Sequence, residues 1–243
     1  MKVKLILYLI LGMFYAHFAH AIIMRGKIYD RDGDPNKQLF EFVRTEKMEN
    51  GKKIVVVDFK DMEGKAALTE KLVYPAVPPS GVSVPFETYE FERFQNNEVV
   101  KIYPKENKLY FDYKKNEKIK KNDETIEKNT ITRDQLATIV INNWDTLMKG
   151  ETIKSRFIVP DRAETIGFKL FKDSEESLNG KSTVKITMKP SSFVIALLAK
   201  AIYFYFEKDG EHRLLRAVGR TPVLKKDGND LKNIDGIIDF LYM

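Results

Sequence analysis

The chain has 243 residues, of which 43% are hydrophobic and 31% are charged, a balance typical of a folded protein and unlike that of a disordered one. The formal charge of +6 comes from interleaved lysines and acids, which favours a solvated surface and argues against a nucleic-acid-binding face. The absence of cysteine excludes thiol catalysis, thiolate metal sites and disulfides, so a hydrophobic core must hold the fold together.

The first residues have the three parts of a secretory signal peptide. Two lysines precede an apolar run over residues 5–18, and an Ala-His-Ala cleavage site follows at residues 19–21. The run is shorter than the roughly 20 residues of a membrane-spanning helix. We therefore expect residues 1–21 to be removed, leaving a periplasmic or secreted protein of residues 22–243. An uncleaved membrane anchor is the alternative.

An acidic run near the start of the mature chain has the spacing of a cation site. Four carboxylates match the ligand spacing of a calcium-binding loop: Asp30, Asp32, Asp34 and Glu41. However, Pro35 stands where that loop needs glycine, and the flanking residues look like strands. An ordinary Asp-Gly turn between two strands is the favoured interpretation.

The first half of the mature chain shows the alternation of apolar and polar residues that predicts strands. Residues 38–48 and 52–60 alternate in this way, and the Asn50-Gly51 pair between them is a strong hairpin signal. A proline-rich loop over residues 75–85 separates them from further short strands. Residues 114–129 are charged and weakly periodic, which predicts the end of a strand followed by a loop.

One amphipathic helix is predicted over residues 133–149. Thr132 and Gln135 form a capping box at its start, and Gly150 suits its end. Apolar residues recur at helical spacing on one face: Leu136, Ile139, Val140, Trp144, Leu147 and Met148.

The rest of the chain again predicts strands joined by short turns. Counting all such segments gives roughly ten to twelve strands of ordinary length. Short connections imply antiparallel pairing. We expect a mainly β (α+β) fold for residues 22–243 as a single domain: a large curved antiparallel sheet or half-barrel with the main amphipathic helix and one short helix.

The most apolar segment is SSFVIALLAKAIYFYFEK, residues 191–208. It is too short for a membrane span and is interrupted by Lys200. It predicts a short helix followed by a strand, whose large residues belong either to a core or to the mouth of an apolar cavity, with Lys200 placed to meet an anionic headgroup. The ligand-binding candidates are Trp144, Leu147, Phe193, Leu197, Lys200, Phe204 and Phe206.

Catalytic motifs are scarce. The mature chain holds one histidine, His212, which excludes a multi-histidine zinc site. The sequence contains no G-x-S-x-G, P-loop or G-x-G-x-x-G motif, so it predicts no catalytic residue and no cofactor. A pair of carboxylates, as glycoside hydrolysis requires, remains open because acids are abundant.

Residues 142–170, NNWDTLMKGETIKSRFIVPDRAETIGFKL, resemble a group of uncharacterised exported β-rich proteins of Gram-negative bacteria. The resemblance spans most of the mature chain and implies no activity. A looser architectural likeness to LolA/LolB-type periplasmic lipid carriers implies a curved antiparallel sheet around a helix, with an apolar pocket. Fold alone does not imply function.

Three functions follow from these observations. The leading one is a non-enzymatic envelope protein that binds a lipid or other apolar ligand in a curved sheet. The second is a periplasmic interaction or scaffold protein with a filled core and an envelope protein as partner, and the third is a carboxylate-dependent hydrolase. We expect no nucleic-acid partner, and membrane contact only through the signal peptide or the protein surface.

Overall fold

The computed structural model describes residues 23–76, 84–192, 194–195 and 200–243. The predicted signal peptide and half of the predicted short helix lie outside these residues. The described residues form one sheet of 15 strands, three more than the upper limit predicted from the sequence. The strands are β1 (Ile23–Asp30), β2 (Gln38–Glu49), β3 (Lys52–Asp61), β4 (Ala66–Pro75), β5 (Thr88–Arg93), β6 (Glu98–Lys105), β7 (Lys108–Lys115), β8 (Lys118–Thr125), β9 (Thr130–Ile131), β10 (Ile153–Val159), β11 (Glu164–Leu178), β12 (Lys181–Pro190), β13 (Ile202–Glu207), β14 (Leu214–Asp227) and β15 (Asp230–Tyr242).

The strands are paired in the order β8-β7-β6-β5-β4-β3-β2-β1-β15-β14-β13-β12-β11-β10-β9. The pairs are antiparallel except for β9, which runs parallel to β10. Because β8 ends one side of this order but also contacts β11, near the other side, the sheet must curve back on itself. The predicted large curved antiparallel sheet is therefore confirmed, and the predicted number of strands is wrong.

Short turns with left-handed residues connect the strands. Asn50 and Gly51 have φ values of 51° and 72°, and Asn179 and Gly180 have values of 50° and 79°. Asparagine and glycine tolerate this region better than other residues, and two such residues in sequence match the right-handed twist of a hairpin. The predicted hairpin of β2 and β3 is confirmed, with Phe42 opposite Phe59 in the register.

The inner face of the sheet carries two hydrophobic cores. The first lies mainly on β1 to β7 and includes Ile28, Phe42, Phe59, Leu68, Phe91 and Phe111. The second lies on β10 to β14 and includes Phe157, Leu170, Ile186, Phe204 and Phe206. Period-2 alternation explains the pattern, since every second side chain of a strand points to the same face.

The predicted helix over residues 133–149 is not continuous, which corrects the sequence prediction. A 3-10 turn (Arg133–Gln135) leads into α1 (Leu136–Asn142), and α2 (Trp144–Met148) follows after a break. At the break, Asn143 Nδ2 donates to the Ile139 carbonyl at 2.8 Å, and such a side-chain bond competes with helical hydrogen bonding. Among the described residues, none of the helices has the length and apolar composition needed to cross a bilayer.

The apolar stripe of the helical segment nevertheless packs as its spacing predicts. Leu136, Val140 and Leu147 are buried in the second core. Gln135 Oε1 accepts a hydrogen bond from the Thr132 amide at 3.0 Å, as expected for the capping box. The two short helices therefore fill the inside of the curved sheet over β10 to β14.

Candidate functional site

A cleft of about 510 Å³ lies at one end of the curved sheet. It forms where the β1–β2 connection, the end of β3, the turn after β5 and the β14–β15 hairpin meet. Its volume is within the range of small-molecule sites. The apolar part of its wall consists of Leu39, Phe40, Leu224 and Leu231.

The apolar wall joins the inner face of the sheet to the surface. Phe40 and Leu224 are buried, whereas Leu231 is 41% exposed. Phe40 also belongs to the first core, so the cleft continues the apolar interior outward to solvent. A ligand with a hydrocarbon portion would gain free energy by covering Leu231 and its neighbours.

Gln95 fixes the part of β14 that forms this wall. Its Nε2 donates to the Leu224 carbonyl at 2.6 Å, and its Oε1 accepts from the Leu224 amide at 2.8 Å. The pairing of β14 with β15 shifts register between Arg220 and Leu224. The Gln95 side chain thus satisfies both the amide and the carbonyl of Leu224, which lies next to an irregular part of the ladder. These two hydrogen bonds hold the backbone that positions the Leu224 side chain.

The acids beside the cleft are already engaged. Asp30 accepts from the amides of Asp32 at 3.2 Å and Gly33 at 3.1 Å, and it pairs with Lys225 at 2.6 Å. This hydrogen bond raises the pKa of Lys225. Asp34 accepts from the Asn36 amide at 2.9 Å, and Asp61 accepts from the Lys65 amide at 2.9 Å.

The lysines beside the cleft are less engaged than the acids. Lys37 and Lys226 line the cleft and are exposed. In the described ranges neither forms an ion pair, whereas Lys225 pairs with Asp30. The cleft therefore presents two ammonium groups that have no carboxylate partner in the described chain, and such groups suit an anionic headgroup.

Lys200, a predicted ligand-binding residue, lies on the surface near the same end of the sheet. Its side chain is 63% exposed and pairs with Asp32 at 3.2 Å and with Asp235 at 3.0 Å. Arg220 also pairs with Asp235 at 2.9 Å. Although burial raises the pKa of Asp235, the hydrogen bonds from Arg220 and Lys200 outweigh it and lower that pKa overall. Lys200 is therefore held by carboxylates rather than open to an anion.

The other predicted ligand-binding residues fall into two groups. Leu147 and Phe206 are fully buried, and Phe204 is 6% exposed, so the three pack inside the second core. Trp144 is half-buried at the edge of this core, with its ring centroid 6.2 Å from that of Phe206. Phe193 and Leu197 lie outside the described residues. The placed residues are brought together, but as packed core.

The four carboxylates with calcium-loop spacing do not converge. Asp30, Asp32 and Asp34 each bond to different groups of the β1–β2 connection or its neighbours, and Glu41 lies on β2 opposite Lys60. Across residues 23–76, 84–192, 194–195 and 200–243, the histidines and acids form no group of three able to hold a metal ion.

Sequence reasoning missed a set of buried charges on the inner face. Glu70 of β4 has a side chain only 3% exposed and pairs with Arg133. Burial raises the pKa of Glu70, and attraction to Arg133 offsets this only in part. Burial likewise raises the pKa of the adjacent Tyr89. The sequence contained a signal for this, because Glu70 lies two residues from both Leu68 and Leu72. In a strand such residues share one face, so Glu70 had to face the core with the two leucines.

A second polar group links the helical segment to the sheet. Arg44 Nε donates to Asp134 Oδ1 at 2.7 Å, and the Tyr74 hydroxyl donates to Asp134 Oδ2 at 3.0 Å. Burial raises the pKa of Tyr74 above its ordinary value. Together with the Glu70–Arg133 pair, these bonds satisfy the buried charges in a structural network, and the network contains no histidine, serine or cysteine nucleophile.

The one histidine in the part of the chain that the structure describes lies away from these groups. His212 stacks on Trp144 with ring centroids 3.8 Å apart and an interplanar angle of 15°. Its Nδ1 lies 3.1 Å from the Glu207 carbonyl. This arrangement covers the tryptophan at the edge of the second core.

No family model matches the chain, and no curated protein matches its sequence. Among solved structures, the chain is similar to a β-barrel-like protein of the domain of unknown function DUF1849 from Brucella abortus, with a TM-score of 0.52 and 6% identity over 92% of this chain and 96% of that one. A DUF1329 family protein from Desulfovibrio piger matches with a TM-score of 0.24 and 10% identity, covering 91% and 82%. The first likeness shows a shared β-rich fold.

Proposed function

We propose that the protein is an exported, non-enzymatic binding protein of the cell envelope that takes a small amphipathic anion, such as a lipid with an acidic headgroup, in the cleft at the end of the sheet. The observation that carries the proposal is the pairing of an apolar wall with two lysines that have no carboxylate partner in the described chain. The signal-peptide pattern at residues 1–21 supports export.

The apolar wall suits the hydrocarbon part of the expected ligand. Phe40 is continuous with the first core, and Leu231 reaches the surface, so a hydrocarbon portion can lie along the wall between them. Burying such a chain contributes about 25 cal/mol for each Å² removed from water. The expected ligand therefore has several methylene groups.

The two lysines of the cleft that are unpaired in the described chain suit a headgroup with a negative charge. Asp30 is paired with Lys225, and Asp34 and Asp61 each use one carboxylate oxygen to accept from backbone amides. Lys37 and Lys226 can each bring a flexible ammonium group to a carboxylate, phosphate or sulfonate. Such contacts stay partly exposed, and they weaken as salt is added.

The packing of the second core favours a different placement for the ligand than the sequence predicted. Leu147, Phe204 and Phe206 are buried in one packed cluster, so the helical end of the sheet offers core rather than cavity. The same observation favours a second candidate, a scaffold protein whose partner meets the surface. The two differ in one respect, because a scaffold needs no small molecule.

Native mass spectrometry of residues 22–243 purified from a bacterial periplasm separates the two candidates. We expect an added mass of a few hundred daltons that solvent extraction recovers as an acidic lipid or similar amphiphile, in the size range of ligands that fit such a cleft. A protein of bare mass that also takes up no dodecanoate would contradict the proposal and leave the scaffold function.

A further inference from the structure

The two ends of the curved sheet meet without a continuous backbone ladder. In the described chain, β8 pairs with β7 on one side, and on its other side it meets the start of β11 through side chains. Asn122 Nδ2 donates to the Ala163 carbonyl at 2.8 Å, and the Thr165 amide donates to Glu124 Oε2 at 2.9 Å. Side-chain bonds of this kind break more independently than a cooperative ladder.

The contact is made by residues 160–165, which comprise the turn between β10 and β11 and the first two residues of β11 and which we name the latch. It contains the 3-10 turn Pro160–Arg162 and packs against β6, β7 and β8. Ala163 is fully buried there with a φ of 53°. A non-glycine residue in this region is strained and persists only where its surroundings hold it.

A buried charge lies under the latch. Arg93 of β5 is 4% exposed and pairs at 3.1 Å both with Glu98, which is 2% exposed, and with Asp161 of the latch, which is 40% exposed. Arg93 Nε is buried without a hydrogen-bond partner. The desolvation free energy of a buried ion pair is comparable to the attraction between its charges. When Asp161 leaves, water can therefore reach Arg93 and Glu98, and their hydration offsets part of the lost attraction.

The rest of the closure is also rich in charges. Arg133 and Asp134, which precede α1, pair with Glu70 and with Arg44 of the opposite wall. The apolar contribution of the latch side to the first core is small and consists of Ile158 and Ala163. The contacts across the closure are thus mainly polar.

We infer that the latch releases from β6, β7 and β8 and that the two ends of the sheet then swing apart about residues 126–129, the short connection that joins β8 to β9, exposing part of the inner face. This motion requires no ligand and is independent of the cleft proposed above. It gives the protein a second, open state, in which part of the aromatic inner face of β2 to β7 becomes accessible.

Electron-spin distance measurements test the inference, since the cysteine-free chain allows labels to be placed by single substitutions. One pair of labels spans the closure, with Lys101→Cys on β6 and Lys181→Cys on β12, at side chains that are 53% and 60% exposed. The control pair stays within the continuous sheet, with Lys47→Cys on β2 and the same Lys101→Cys.

We expect a long-distance population in the spanning pair, and we expect Asp161→Ala to raise it severalfold while the control pair keeps one narrow distance. Asn122→Ala removes a different latch contact and should act in the same direction, with circular dichroism confirming that each variant is folded. A single unchanged distance in the spanning pair of the wild type and both variants would overturn the inference. Equal broadening of both pairs would overturn it as well, because the whole sheet would then be deforming.

Discussion

The carboxylate of Glu70 lies against the guanidinium of Arg133 inside the curved sheet, with the glutamate side chain 3% exposed and the arginine side chain 45% exposed. The acid has therefore lost its water almost entirely, while the arginine keeps part of its hydration. Glu70 is therefore the partner whose protonation state responds more strongly to pH and to loss of the ion pair.

The first prediction concerns pH. The native pKa of Glu70 is raised by burial, so the native state holds this proton to higher pH than the unfolded state does. The contribution of Glu70 to the unfolding free energy is thus fully present below the ordinary pKa of about 4.3 and is lost as pH rises through the native value. Urea unfolding of the wild type and Glu70→Gln should show the wild type losing stability relative to the variant as pH rises from about 4 to about 7.

Glu175 supplies a control of opposite sign. Hydrogen bonds from Lys172 and Lys208 lower the pKa of Glu175 to about 2. Its contribution is present above the ordinary pKa and is lost as pH falls toward the native value, so Glu175→Gln should differ most from the wild type at neutral pH. Because Glu175 is exposed and its ion pairs with the two lysines are screened by salt, the stability difference between Glu175→Gln and the wild type should shrink in high salt. A Glu70→Gln curve parallel to that of the wild type would contradict the first prediction.

The second prediction concerns Arg133. Replacing it in Arg133→Met leaves the Glu70 carboxylate buried without its cation, which should lower the unfolding free energy by roughly 2–4 kcal/mol at neutral pH and less in acid. The matched control is Arg162→Met, whose pairing with Glu164 is 57% exposed on the arginine side. That change should cost less than about 1 kcal/mol. Equal losses in both variants would show that the buried pair has no special role.

The third prediction concerns close packing on β1. A Cβ added at Gly26 would lie 2.0 Å from Cε1 of Phe42, a buried ring of the first core. Gly26→Ala should therefore cost about 1–3 kcal/mol through overpacking. Gly167→Ala is the control, since the nearest atom to its Cβ would lie 3.6 Å away. The two variants should separate clearly in thermal unfolding, and a neutral Gly26→Ala would refute the packing of β1 against β2.

The fourth prediction uses the only tryptophan. His212 covers the ring of Trp144 with centroids 3.8 Å apart, so His212→Ala should expose the indole to water and shift its fluorescence emission to longer wavelength. Arg213→Ala removes an exposed neighbour without uncovering the ring and should leave the emission unchanged. An unshifted spectrum for His212→Ala would mean that the stacked pair does not form in solution.

Local signals in the sequence correctly predicted the hairpin of β2 and β3 and the strand that ends the apolar segment 191–208, which is β13. The Asn-Gly pairs supply left-handed turn geometry, and β13 is rich in aromatic and β-branched residues. β8 was missed because it is an exposed edge strand, so nothing forces its residues, KIKKNDET, to alternate. The helix was predicted as continuous because its apolar spacing survives the break at Asn143.

The cleft could not have been predicted from local patterns. Its wall brings together Leu39, Gln95 and Leu224, which are far apart in the sequence and meet only when the sheet curves. The network around Glu70 could have been anticipated in part, since a glutamate between two inward leucines needs a buried cation. Its partner Arg133 could not be identified, because it comes from a segment that the curvature alone brings to β4.

The central claim, that the end cleft binds an amphipathic anion, is tested most directly by calorimetric titration of the folded protein with dodecanoate. We expect saturable binding that Leu231→Asn and Lys226→Gln each weaken severalfold, while Leu241→Asn leaves it unchanged, because Leu231 and Leu241 are similarly exposed at 41% and 46% but only Leu231 lines the cleft. Binding that all three variants leave unchanged, or that Leu241→Asn weakens as much as Leu231→Asn, would contradict the claim.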